Sequence, residues 1–182
     1  MDEELNQELT EEQLSELLQI RRDKLEALRA DGKDPFVLTS YPVDACAKSV
    51  RENFVDAEEG AEESAPEDAP HVHLAGRIMS KRGMGKASFA DLQDTTGRIQ
   101  LYIRRDMVGD DAYADFKKWD IGDIIGVEGI VFRTHAGEIS IRAEKITLLA
   151  KSLLPLPEKF HGLKDPELRY RQRYVDLIVN PE

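Results

Sequence analysis

From His71 onward apolar side chains recur at every second position in a series of short runs, a period that admits pleated strands with one buried face and little else. Val72, Leu74, Gly76 and Ile78 fall on one side of the first strand, with His73, Ala75 and Arg77 on the other. Gly83 and Gly85 interrupt the pattern, Lys86 to Leu92 resumes it, and Asp94 to Gly97 turns. Arg98 to Ile103 alternates again, with Ile99, Leu101 and Ile103 inward. Asp110 to Trp119 switches to helical spacing, with Tyr113, Phe116 and Trp119 toward the sheet. A fourth strand follows Asp120-Ile121-Gly122-Asp123 and runs through Phe132; His135-Ala136-Gly137 closes a hairpin whose return, Glu138 to Leu149, places Ile139 and Ile141 inside. The predicted class is α+β, mainly β. Three strands, a helix and a two-stranded hairpin is the element order of the five-stranded OB-fold, a Greek-key barrel. The helix between strands 3 and 4 argues against an SH3-like barrel, and Gly126 and Gly129 suit tightly curved strands.

The residues upstream predict a helical extension. Thr10-Glu11-Glu12-Gln13 has capping-box form, Leu14, Leu17, Leu18, Leu25 and Leu28 recur at helical spacing, and Gly32 supplies a left-handed stop ahead of Pro35. Arg21, Arg22, Lys24 and Arg29 occupy the opposite side. A second, shorter helix is expected from Asp44 to about Ala57, then a linker, Glu58 to Pro70, rich in acids, alanine and proline. Cys46, the single cysteine, reads as a small buried hydrophobe and excludes an intramolecular disulfide. The expected organisation is 1–40, an N-terminal helix extension; 41–70, a short helix and acidic linker; 71–151, the OB-fold; and 152–182, a connector.

A net charge of -11 argues at first against a polyanionic partner. Its distribution reverses that. Met1 to Glu16 and Asp56 to Asp68 each hold seven acids and no base, whereas His71 to Lys151 holds 13 Lys or Arg against 11 Asp or Glu. The β-domain is therefore slightly basic, which permits nucleic-acid binding without requiring it. No apolar run approaches the roughly 18 residues needed to span a bilayer, and the N-terminus is acidic rather than signal-like, so a cytoplasmic protein without membrane attachment is expected.

Alternation also selects the outward residues. With Ala90 and Leu92 inward, Phe89 and Asp91 point out; with residues 99, 101 and 103 inward, Arg98, Gln100 and Tyr102 take the other face. An outward aromatic beside amide and guanidinium groups is the composition of a base-stacking platform. Parity leaves a second reading open, in which Phe89 is covered by the N-terminal helix or a loop. Arg82 and Lys86 flank Gly83-Met84-Gly85 in the expected loop between strands 1 and 2, where OB-folds often grip ligands; a plain hairpin with solvated bases is the alternative. The Walker spacing is absent. Glu138, just past the hairpin turn, is either a hydrogen-bond acceptor for a base or a solvated acid. His71 and His73 share a strand face but have no evident third ligand, so no metal site is expected. No catalytic constellation is legible.

The run Arg82-Gly83-Met84-Gly85-Lys86-Ala87-Ser88-Phe89-Ala90-Asp91-Leu92-Gln93-Asp94, followed by Gly97-Arg98-Ile99-Gln100-Leu101-Tyr102, resembles bacterial lysyl-tRNA synthetases. The resemblance extends through Phe116 to Asp123, Thr147 to Leu156, Lys159 to Leu163 and Arg169 to Leu177, and back to Arg21–Leu25 with Gly32 and Asp34-Pro35-Phe36; residues 41 to 70 match poorly. It implies that the OB domain holds the anticodon UUU of tRNA-Lys, with Phe89 matching the aromatic that stacks on the central uridine. Arg82, Gln100 and Glu138 fall on base-reading positions. Lys86 and Arg98 border them, and Arg21, Arg22 and Lys24 would lie near the anticodon stem.

The same resemblance implies a class II catalytic domain, using ATP and Mg2+ to ligate lysine to tRNA through lysyl-adenylate, located beyond Glu182. The present residues would then hold no cofactor and be catalytically inactive and monomeric, whereas the parent enzyme would be a homodimer. Aspartyl- and asparaginyl-tRNA synthetases share the domain plan, and a free-standing single-strand-binding OB protein is the alternative from another class.

Overall fold

A computed structural model describes residues 11–55, 70–157 and 165–180. Residues 34–152 form one compact unit, and residues 1–33 with 153–182 form another.

The larger unit is built on five strands, β1 (His71–Met84), β2 (Ala87–Gln93), β3 (Arg98–Arg104), β4 (Ile124–Arg133) and β5 (Ile139–Ala150). They close into a barrel in the order β1-β2-β3-β5-β4, with β3 and β5 parallel and the other pairs antiparallel. This is the topology that the element order predicts. Leu74, Ile78, Leu92, Ile99, Leu101, Ile103, Ile125, Val127 and Ile141 fill the interior. Each such side chain, taken fully out of water, contributes about 2 kcal/mol before entropy is counted.

Two helices separate β3 from β4: a single turn, α3 (Arg105–Val108), and then α4 (Asp110–Lys118). The turn α3 falls outside the predicted helix. Tyr113, Phe116 and Trp119 are buried as expected, and the Tyr113 hydroxyl meets Ser88 Oγ at 2.9 Å and donates to the Gly85 carbonyl. Lys81 Nζ donates to the carbonyls of Phe116 and Trp119 and lies 4.5 Å from the Phe116 ring centroid, so a strand residue satisfies the last turn of α4.

Residues 34–55 pack on the barrel. A 3-10 turn at Pro35–Val37 is capped by Asp34, and the Tyr41 ring lies over Gly126, where an added Cβ would fall 2.3 Å from Tyr41 Cζ. The strand pairing of β1 with β2 begins only at Arg77. Upstream of that point, Asp44 takes the place of a strand partner: its carboxylate accepts from the His73 backbone N–H at 2.8 Å, while its own N–H donates to the His73 carbonyl.

The helix α2 (Ala47–Asn53) is shorter than the expected Asp44–Ala57 because its start is fixed from outside. Asp94 accepts from Ala47 N–H, Thr96 Oγ1 from Lys48 N–H, and Cys46 Sγ from Ser49 N–H. Three donors that a helix start leaves open are thus met, two of them by the β2–β3 turn. Cys46 is therefore a half-buried N-cap rather than a buried hydrophobe.

At the far end of β5, Lys151 is buried between Asp123 and Asp120. Its Nζ lies 2.9 and 3.0 Å from the Asp123 oxygens, and Asp123 also accepts from the backbone N–H groups of Asp120 and Ser152. This network fixes the point where the chain leaves the barrel.

In the smaller unit, α1 (Glu11–Ala30) ends as predicted, with Gly32 at φ +70, Lys33 N–H bonded to the Leu28 carbonyl and Gly32 N–H to that of Arg29. Of the predicted leucine stripe only Leu25 is buried, and Leu14 is exposed. The predicted cap Thr10 lies outside the described residues, as do residues 58–69 of the predicted linker. Asp165 and Pro166 open α5 (Pro166–Arg171), which is followed by α6 (Arg173–Val179). The buried Asp176 carboxylate accepts from Arg169, Arg173 and Asn180, which hold it below the usual carboxylate range, the Arg169 hydrogen bond contributing most.

Candidate nucleic-acid interface

Two cross-strand rows define the outer face of the barrel. One runs Arg82, Phe89, Tyr102, Arg142, Ile130, and the next runs Ser80, Asp91, Gln100, Ser140, Phe132, each residue lying opposite the following one. Phe89, Tyr102 and Phe132 form a chain of rings: the first two stack at 4.9 Å with planes 25° apart, and Tyr102 meets Phe132 at 5.9 Å. All three are half-buried, so each still presents part of its ring to solvent on the outer face of the sheet. Outward parity for Phe89, Asp91, Gln100 and Tyr102 agrees with the alternation.

Arg82 reaches this face through an irregularity. Upstream, the even-numbered residues of β1 point inward, ending at Ile78; the register then shifts between Ile78 and Ser80, and Met79 is buried beside Ile78. Beyond the shift the sides exchange: Lys81 lies opposite the core residue Ala90, and Arg82 lies opposite Phe89, exposed. The expected loop placement of Arg82 is therefore corrected, because β1 continues to Met84 and the connection to β2 is only the tight turn Gly85-Lys86. Gly85 takes φ +67 there, a conformation glycine adopts without penalty.

The remaining candidates are placed as follows. Gln100 lies beside Ser140, whose hydroxyl donates to Gln100 Oε1 at 3.0 Å. Arg98 is one step further along, its Nε donating to Gln93 Oε1 at 2.7 Å, so its guanidinium is already engaged. Lys86 is exposed on the β1–β2 turn. Glu138 is exposed immediately before β5, 3.9 Å from Arg51 of α2. The nearby Arg104 and Arg105 are neutralised by Asp106 and Asp110. On α1, Arg22 is exposed, whereas Arg21 and Lys24 are half-buried, and Arg21 donates to the Leu154 carbonyl at 3.5 Å.

Phe132, Ser140 and Arg51 were not legible as site residues. Phe132 and Ser140 sit on strands whose registers shift, between Glu128 and Gly129 on the β4–β5 pair. Parity places Ile139 inside; instead Ile139 is half-exposed and Ser140 is fully buried. Among the described residues, no group of three or more His, Cys, Asp or Glu is placed to hold a metal, and His73 Nδ1 instead lies 2.7 Å from Asp44. No helix among them is long and apolar enough to cross a membrane.

Residues 72–149, all but the two end residues of the barrel, match the tRNA anti-codon family, described as an OB-fold nucleic acid binding domain. Sequence similarity and strand topology thus agree on an OB-fold. The chain that carries this OB-fold is in addition homologous to lysine–tRNA ligases. It is 53% identical over 93% of its length to that of Halalkalibacterium halodurans, 54% over 94% to that of Pelotomaculum thermopropionicum, and 51% over 97% to that of Bacillus subtilis strain 168. The chain spans about a third of the length of these relatives, 32 to 34%. Within the OB-fold, the stacked pair Phe89 and Tyr102 lies on β2 and β3, the strands across which such barrels take single-stranded ligands.

Proposed function

We propose that this chain recognises the UUU anticodon of tRNA-Lys and serves a lysine–tRNA ligase. The observation that carries the reading is the open row Arg82–Phe89–Tyr102 with Gln100 on the adjacent row, in a barrel of an RNA-binding family. An unstacked uridine base laid on Phe89 gains about 1 to 3 kcal/mol from stacking. Arg82 and Gln100, on either side, offer N–H donors that match the carbonyl oxygens of uracil, and Glu138 offers an acceptor for an imino or amino group. Lys86 and Arg98, with Arg21, Arg22 and Lys24 on α1, supply positive charge for the RNA backbone, which sets affinity rather than sequence choice.

In the whole ligase this recognition selects the tRNA to which lysine is joined, at the expense of ATP with Mg2+ and through lysyl-adenylate. Those steps need groups that the site described here does not contain. The 182 residues are proposed to bind anticodon RNA as a monomer in the cytoplasm and not to activate lysine. Titration of labelled anticodon stem-loops bearing UUU, GUC and GUU tests the reading: UUU should bind best. Preference for GUC or GUU would point to an aspartyl or asparaginyl specificity, and equal binding of all RNA and DNA strands to a general single-strand binder. Lysine-dependent pyrophosphate exchange by the purified chain would overturn the proposed inactivity.

A further inference from the structure

We infer that Ser140 is a positioning residue that fixes which end of the Gln100 amide faces the base, and thereby sets uracil over cytosine at the stacked position. The inference rests on the anticodon reading above and adds a determinant to it. A glutamine amide has two chemically opposite ends, a carbonyl that accepts and an NH2 that donates, and by itself it turns freely between them. A base-reading glutamine whose amide is free to turn discriminates poorly, because it serves uracil in one orientation and cytosine in the other.

Here the orientation is held by one hydrogen bond and biased by a neighbouring charge, the Asp91 carboxylate, which itself accepts from the Ser80 hydroxyl. Ser140 lies opposite Gln100 in the parallel β3–β5 pairing and belongs to the outward row, yet it is 0% exposed. Its hydroxyl donates to Gln100 Oε1 at 3.0 Å; the other acceptor within reach, the Glu138 carbonyl, is 3.4 Å away and competes weakly. On the other flank Asp91 lies directly opposite Gln100 in the β2–β3 pairing, and a carboxylate there repels the amide carbonyl and attracts the NH2. Both neighbours favour Oε1 toward β5, which turns the Nε2 end, with at least one of its protons, toward a ligand. Uracil presents carbonyl oxygens to such a donor. Cytosine replaces one of them with an amino group, which sets donor against donor.

The test measures the affinity of the full chain for two stem-loops that differ only in the central anticodon base, UUU and UCU, at fixed salt. The wild-type protein should prefer UUU. Ser140→Ala, which lets the amide turn, should narrow the UUU-to-UCU preference about fivefold, the equivalent of one ordinary hydrogen bond, with UCU binding rising as UUU binding falls. Ser140→Cys, a near-isosteric change to a weak donor, should narrow the preference in the same direction and keeps the inference testable if Ser140→Ala does not fold. An unchanged preference in Ser140→Ala, or equal weakening of both stem-loops, overturns the role assigned to Ser140 and leaves the anticodon reading intact. A wild-type protein that binds UUU no better than an unrelated stem-loop removes the anticodon reading first, before any substitution is made, and the inference with it.

Discussion

The ring of Phe89 stacks on that of Tyr102 at 4.9 Å, and Tyr102 rests in turn on Phe132. A ring supported from one side has less rotamer freedom left to lose when a base settles on the other, so part of the ordering cost is met in the free protein. Phe89→Ala should weaken binding of the UUU stem-loop by about 1 to 3 kcal/mol. Tyr102→Ala removes only the support and should cost about 1 kcal/mol. Fluorescence anisotropy distinguishes the two roles, and a larger loss for Tyr102 than for Phe89 would reverse them.

Asp94 links the β2–β3 turn to α2. Burial works to raise its pKa, but the N–H groups of Ala47, Thr96 and Gly97 and the Thr96 hydroxyl outweigh that and hold the carboxyl below its ordinary value. A depressed folded-state pKa adds stability that is present above the unfolded value and lost as pH falls through the folded one. Asp94→Ala should therefore cost about 2 kcal/mol at pH 7 and less in acid. Urea unfolding at both pH values provides the measurement; a penalty independent of pH would count against a charged cap.

Lys151→Met leaves the buried Asp123 carboxylate without its cation and should destabilise the barrel by about 3 to 5 kcal/mol. Adding Asp123→Asn removes the stranded charge and should recover part of the loss. A double variant no better than the single one would show that the lysine acts by packing instead. Equilibrium denaturation of the three proteins decides the point.

Burial, with the charges of Glu128 and Asp44 behind it, pushes the Tyr41 phenol up to about 12. Because the unfolded phenol ionises near its ordinary value of about 10, stability should fall as pH rises between those limits. Gly126→Ala places a Cβ where the ring lies and should return the phenol toward its ordinary value. Carbon-13 NMR of labelled tyrosine follows that single titration; an unmoved titration would mean that the ring is held by contacts other than those at Gly126.

Much of this was legible from the residues. The alternation of Ala90 and Leu92 against Phe89 and Asp91 is uninterrupted, so it placed Phe89 and Asp91 on the outward face, and Gly32 stops α1 where a left-handed residue was expected. What was not legible depends on contacts distant in sequence. Cys46 caps a helix because Asp94 and Thr96 bring that helix start to the turn, and nothing in the residues around position 46 reveals it. Ser140 is buried on the outward row because Gln100 and Phe132 flank it in the pairing, whereas local parity buries Ile139. Residues 34–55 belong to the barrel's compact unit through Tyr41 and Asp44, whose partners Gly126 and His73 lie far along the chain.

The extra residue at Met79 makes the count of residues as consequential as their identity. Deleting Met79 or Ser80 would leave every side chain proposed to touch a base in the protein and still swing the Arg82 guanidinium from the solvent side to the oily one, with Lys81 displaced from its carbonyl partners on α4 in the same stroke. Substitutions along this stretch should be absorbed far more readily than a single-codon loss, a contrast that a deep scan combining point changes with in-frame deletions would expose.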